Sequence, residues 1–253
     1  MLLLAAALVP ALAAACEGVA VGSLPRSPDG PRCPVRIDLL PVFSPESRTV
    51  RALQTGAPLV VVAIGSSSTE GYGASSPDRT YPAHLQAMLA QRWPGSAIRV
   101  VNAGVSGDLL EQMQARFARD VHPAAPDLVI LQTGTIEATR NLPLGPFLNR
   151  FRASLADLTS RGYDVAIMDS QYYPGVGESE HYRAMQDSMA SVARAQALPL
   201  IRRYAMMKYF VESGRYTLPE LLFRDNFHPS ELTYECMAQY VVNGLELAQS
   251  PTR

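Results

Sequence analysis

Two separated stretches carry side chains whose types and spacing could perform nucleophilic chemistry. Gly65-Ser66-Ser67-Ser68-Thr69-Glu70-Gly71 directly follows an apolar run and offers a cluster of hydroxyls in a short turn. A serine becomes a nucleophile when a neighbouring base takes its proton, and a histidine fixed in one tautomer by an acid is such a base. The chain has four histidines. His84 and His181 fall within helical patterns, and His122 follows a helix at the amino-terminal edge of the sheet. His228 lies in Asp225-Asn226-Phe227-His228-Pro229, where an acid three residues earlier can fold back onto the imidazole. Each stretch also has a plainer account, as a Ser/Thr helix cap or an Asx turn.

Those residues need elements to hold them. Leu59-Val60-Val61-Val62-Ala63-Ile64 is a continuous apolar run ending at Gly65, as expected of a strand buried on both faces. Similar runs recur at Ile98–Val101, Leu128–Leu131, Val165–Met168 and Leu198–Ile201. Amphipathic stretches separate them at Tyr81–Trp93, Leu109–Val121, Pro146–Arg161 and Glu178–Ala197, and a last helix runs from about Ser230 to Ala248. Strands alternating with helices predict a five-stranded parallel sheet with helices on both faces, an α/β domain over residues 58–248. Ligand sites in such sheets lie at the carboxyl ends of the strands. Four loops therefore share one rim: the Ser66–Thr69 turn, Asn102-Ala103-Gly104-Val105-Ser106-Gly107-Asp108, Gln132-Thr133-Gly134-Thr135-Ile136-Glu137, and Asp169-Ser170-Gln171-Tyr172-Tyr173-Pro174.

Composition narrows the rest. Hydrophobic residues are 47% and charged residues 18% of the 253, enough for a sizeable core. The formal net charge is −1 with no basic stripe, which argues against a nucleic-acid partner. The uncharged apolar start, MLLLAAALVPALAAAC, is too short and too terminal for an integral membrane segment and reads as a signal peptide over residues 1–15. A secreted or periplasmic location follows. Lipid anchoring at Cys16 is the less favoured reading, because no Leu stands three residues before it. Residues 16–57 hold six prolines between Pro25 and Pro45 and read as an irregular arm. Of the three cysteines, Cys16 and Cys33 are expected to pair across that arm, leaving Cys236 as a buried thiol. None has CxxC spacing, so neither a metal nor a redox cofactor is expected.

Taken together, the blocks resemble the SGNH (GDSL-type) hydrolase family of esterases and lipases. Gly65-Ser66-Ser67-Ser68-Thr69 is similar to its Gly-Asp-Ser-Leu-Thr block, Gly104 to its oxyanion glycine, and Asp225-x-x-His228-Pro229 to its closing Asp-x-x-His block. The resemblance implies a flavodoxin-like three-layer α/β/α sandwich and a Ser67–His228–Asp225 triad, with the N–H groups of Ser67 and Gly104 as oxyanion donors. It also implies hydrolysis of small acyl esters, such as acetyl esters on glycans, through an acyl-enzyme that needs no cofactor. Gln171 and Tyr172 would line the substrate pocket, although aromatic residues there serve packing equally well. Two positions depart from the pattern. Ser66 replaces the usual Asp, and Ile136 stands where the family has the Asn that donates to the oxyanion. Losing one such donor costs roughly 3–4 kcal/mol of transition-state stabilisation unless Gln132, Asn141 or Gln171 substitutes. A non-catalytic carbohydrate- or envelope-binding domain and a glycan O-acyltransferase remain the alternatives on this fold. The sequence sets no oligomeric state.

Overall fold

A computed structural model describes residues 32–173, 175 and 179–250. Residues 1–15, expected to be a signal peptide, and Cys16 lie outside the described residues. Five strands, β1 Leu59–Gly65, β2 Ile98–Gly104, β3 Leu128–Gln132, β4 Asp164–Met168 and β5 Leu200–Ile201, form one sheet in the order β2-β1-β3-β4-β5. Every pairing is parallel. This is the expected α/β/α sandwich.

The strand residues show why both faces are covered. In β1, Val61 and Ala63 join one core, whereas Val62 and Ile64 join the other, as the two-residue strand period requires. The first core receives α1 Arg48–Thr55, α3 Tyr81–Arg92, α9 Arg203–Glu212 and α11 Glu231–Gln249. The second receives α4 Leu110–Ala115, α5 Phe117–Asp120, α7 Leu144–Ser160 and α8 Glu180–Ala195. Short turns of helix complete the rim: α2 Ser67–Glu70, α6 Thr135–Thr139 and α10 Leu218–Leu221. Ile64 is fully buried, so Ile64→Ala should cost about 2–5 kcal/mol. Among the described residues no helix is long and apolar enough to cross a membrane.

Three expectations change. The segment before β1 is not an irregular arm throughout. Past its last proline, Pro45, Ser47 caps α1 by accepting from the Val50 N–H, and Leu39, Leu40, Phe43, Val50 and Leu53 enter the first core. The stretch Leu109–Val121 is two helices, not one, and the break falls at Arg116. The cysteine pairing is also different: Cys33 is bonded to Cys236, with a Cα–Cα separation of 5.2 Å. Cys236 is therefore no free thiol, and Cys33 is not available to Cys16. The bond anchors the described N-terminal segment to α11, and Tyr240 Oη reinforces it by donating to the Pro34 carbonyl at 2.9 Å.

Candidate active site

The chain leaves the carboxyl end of β1 at the point where the sheet order reverses, since β2 lies on one side of β1 and β3 on the other. There it turns into α2, whose first residue is Ser67. The turn is fixed from below. Gln132, at the end of β3 and 1% exposed, accepts through Oε1 from Ser66 N at 3.0 Å, Ser66 Oγ at 3.2 Å and Thr69 Oγ1 at 3.1 Å. Gln132 Oε1 thus holds the turn that leads into Ser67.

The buried Arg116 guanidinium holds the neighbouring strand ends. It donates to the Gly65 carbonyl at 3.0 Å and the Ala103 carbonyl at 2.7 Å, while Asp108 and Asp120 balance its charge at 2.7 and 2.9 Å. Both aspartates are partners a buried arginine needs, because an unpaired charge there would be expensive. A main-chain carbonyl site for Arg116 also explains the break between α4 and α5. Sequence reasoning missed this residue, since an arginine in an amphipathic stretch looks like a solvated one.

His228 reaches Ser67 from the opposite side. The loop that carries it closes on itself: Phe223 N donates to the His228 carbonyl at 2.7 Å, and Leu222 bridges Pro229 in antiparallel fashion. Asn226 takes the left-handed backbone the turn requires, at φ +57°. His228 Nε2 then lies 2.8 Å from Ser67 Oγ, and His228 Nδ1 lies 2.6 Å from Asp225 Oδ2. The second carboxylate oxygen accepts from the N–H groups of Phe227 and His228, each at 3.0 Å. Burial pushes the Asp225 carboxyl upward, but these hydrogen bonds and the imidazole outweigh it and hold its pKa below the ordinary value. Ser67, His228 and Asp225 thus form a continuous hydroxyl–imidazole–carboxylate chain. The other histidines stand elsewhere, and His122 faces Asp157 at 3.3 Å.

The remaining candidates divide. Ser67 opens α2, so its N–H has no partner along the helix and is a suitable anion donor. Gly104 is different. Its N–H donates to Asn102 Oδ1 at 2.9 Å, and a Cβ in its place would collide with the Glu70 backbone. Glycine is required there for close packing against α2, and its donor is already engaged. An Asn two residues before the glycine was the available signal for that local bond.

Gln171 is fully buried, donating from Nε2 to the Phe227 carbonyl at 3.2 Å and accepting from Thr135 Oγ1 at 3.3 Å. It braces the histidine loop from beneath, whereas the sequence reading expected it to line the substrate pocket. The half-buried Tyr172 packs edge-on against Tyr204, with ring centroids 5.3 Å apart. Ile136 is half-buried within α6, and Glu137 beside it caps α4 by accepting from Leu110 N at 2.7 Å. Asn141 is exposed after α6. Beneath the rim, Arg203 is fully buried, donating to the Asp169 carbonyl at 3.0 Å and to Thr135 Oγ1 at 3.3 Å. Burial holds the Asp169 carboxyl up at about 7, against the opposing pull of the Tyr204 N–H and the Arg203 charge. Among the described residues no cluster of three or more His, Cys, Asp or Glu is placed to hold a metal ion.

The profile of the Non-GDSL lipase-like family matches residues 32–246, most of the chain. The protein belongs to the Non-GDSL lipase-like family. Relatives of this family member include an arylesterase from Vibrio mimicus, 21% identical over 73% of this chain and 87% of that one. An acetylxylan esterase from Geobacillus stearothermophilus is 26% identical over 69% of this chain and 85% of that one. The fold matches a two-domain esterase active on acetylated mannans, crystallised with mannopentaose. That match has a TM-score of 0.70 at 19% identity and spans 84% of this chain and 56% of the esterase.

Proposed function

We propose that the protein is an exported serine esterase that removes small acyl groups, such as acetyl, from glycans. The observation carrying this reading is the unbroken chain Ser67 Oγ–His228–Asp225, with spacings of 2.8 and 2.6 Å. His228 Nε2 takes the Ser67 proton as Oγ attacks the ester carbonyl carbon, and the carbonyl electron pair moves to oxygen. The imidazolium, stabilised by Asp225, gives that proton to the departing alcohol oxygen. Water then repeats the sequence on the acyl-enzyme, releasing the acid and restoring Ser67.

The oxyanion takes one hydrogen bond from the Ser67 N–H. Gly104 serves as the second donor only if Asn102 releases it. Gly107 is the better candidate: its loop is pinned to the nucleophile helix by Ser106, whose N–H and hydroxyl both bind Glu70, and its φ of +85° suits glycine alone. The named activities of the acetylxylan and acetylmannan esterases support an acyl-glycan substrate. The apolar N-terminus and the Cys33–Cys236 bond support an oxidising, exported location.

Ile136 and the engaged Gly104 favour one second reading, a glycan-binding domain that has lost turnover. A fluorophosphonate probe combined with hydrolysis of acyl esters of graded length decides between them. Labelling that Ser67→Ala abolishes, with turnover of short esters and insensitivity to chelators, supports the esterase. No labelling and no turnover supports the binding domain, and labelling lost in Ser66→Ala but kept in Ser67→Ala overturns the assignment of the nucleophile.

A further inference from the structure

Tyr72 is an aromatic side chain that the triad does not use, yet it is held firmly beside it. Its N–H donates to the Ser67 carbonyl at 2.9 Å, and its own carbonyl accepts from Tyr234 Oη at 2.7 Å. Its ring lies over His228 with centroids 4.2 Å apart and meets the edge of Phe223 at 6.0 Å. Despite these constraints, 48% of the residue faces solvent. A fixed, half-exposed aromatic ring loses little freedom on binding a ligand and offers it a flat apolar face. An open cleft of about 350 Å³ begins at Gly71, next to Tyr72 in the chain, with apolar walls at Ala74 and Pro77 and polar groups at Ser75, Ser76 and Asn102.

We propose that Tyr72 is the stacking platform for the sugar ring that carries the scissile ester, and that the adjoining cleft receives that sugar's hydroxyls. This rests on the esterase reading above and adds to it the placement of the alcohol half of the substrate. The mechanism requires that placement: His228 Nε2 must protonate the leaving oxygen, so the alcohol sits against the imidazole, and Tyr72 is the ring packed beside it. A pyranose has the matching chemistry, with an apolar C–H face for the phenol ring and a rim of hydroxyls for the serines and Asn102. Tyr72 thereby becomes a specificity determinant for ring-shaped alcohols.

The test compares Tyr72→Ala and Tyr72→Trp with the wild type on acetylated xylo-oligosaccharides and on ethyl acetate, whose alcohol is too small to stack. Tyr72→Ala is expected to raise KM for the oligosaccharide about 10-fold, the order an aromatic contact contributes, with a much smaller loss of kcat/KM on ethyl acetate. Tyr72→Trp restores the oligosaccharide KM. In a Ser67→Ala background, Tyr72→Ala should weaken binding of the deacetylated oligosaccharide by a similar factor. Equal losses on both esters, carried by kcat, would show that Tyr72 only positions His228 and would overturn the platform. So would no loss on either ester. A wild-type protein that turns over neither ester and resists the fluorophosphonate overturns the esterase reading itself, and the platform with it.

Discussion

Asp225 binds His228 twice: Oδ2 lies 2.6 Å from Nδ1 of the ring, and Oδ1 accepts the backbone N–H of the same residue at 3.0 Å. The first contact sets the imidazole tautomer and the second sets the loop, so one carboxylate fixes both the ring and the segment that carries it. Asp225→Asn keeps an acceptor for the backbone but can present an amide to the ring, favouring the wrong tautomer. A loss of about 10⁴-fold in kcat is expected, as the same change costs in the serine-protease template. Steady-state kinetics on a short ester, with circular dichroism to verify folding, provides the check. A loss below tenfold would remove Asp225 from the triad.

Gln171 acts on the same loop from behind, by its bonds to the Phe227 carbonyl and Thr135. Gln171→Leu fills similar space while leaving the Phe227 carbonyl and the Thr135 hydroxyl short of a partner, at a cost of about 1–3 kcal/mol in stability. We expect a lower urea midpoint and a lower kcat, with KM changing little and equally for short and long esters. A selective rise in KM for one alcohol would instead restore Gln171 to the substrate pocket.

The strands were legible because β1 and β3 are continuous apolar runs, whereas Asp225 and His228 three residues apart read equally as a capped turn, and only the resemblance to the SGNH blocks grouped them with Ser67. Side-chain direction was not legible. Gln171 sits in a polar stretch that reads as a rim, but it is turned into the core beneath the rim. The helix α9 escaped notice because Arg202 at its N-cap and Arg203 at its first position read as surface, although Arg203 is fully buried. The disulfide partners are 203 residues apart, and local sequence does not say which ends the fold brings together.

That bond leads to a third prediction. Cys33 and Cys236 close almost the whole described domain into a loop, and removing a native disulfide costs about 2–5 kcal/mol. The Cys33→Ser/Cys236→Ser double variant should melt about 5–15 °C below the wild type. Thermal unfolding of both proteins, with intact mass under non-reducing conditions to identify the linked peptides, is decisive. A linked Cys16–Cys33 peptide would contradict the pairing described above.

Asp169 gives a pH dependence with a definite sign. Its folded carboxyl sits at about 7 and its unfolded one near 3.8, so the folded state holds the extra proton between those values. The contribution to stability is complete at and below about pH 4 and is lost as pH rises through 7. Asp169→Asn keeps an acceptor for Tyr204 N and removes the titration. Urea midpoints at pH 5 and pH 8 should fall with pH in the wild type, and less so in the variant. Parallel profiles would mean that Asp169 is already ionised at pH 5, paired with the Arg203 charge.

Ile136 is the position where local chemistry most opposes the assigned activity. It lies in α6 between Thr135, which is bonded to the brace under His228, and Glu137, which caps α4, so both flanking side chains have fixed structural tasks. An isoleucine between them donates nothing to an oxyanion. Ester hydrolysis can continue without that donor, because the nucleophile, its base and the remaining backbone N–H groups still act together. We therefore expect slow but measurable hydrolysis by the wild type. Ile136→Asn should raise kcat by about 10²-fold, the usual worth of one preorganised donor, with KM little changed because the gain appears mainly in the transition state. The measurement is kcat for the two proteins on the same short ester, at matched fluorophosphonate-titrated active-site concentration. An unchanged kcat in a correctly folded Ile136→Asn protein would mean that another donor already occupies this part of the oxyanion hole. Asn102→Ala, which frees the Gly104 N–H, is then the next variant to assay.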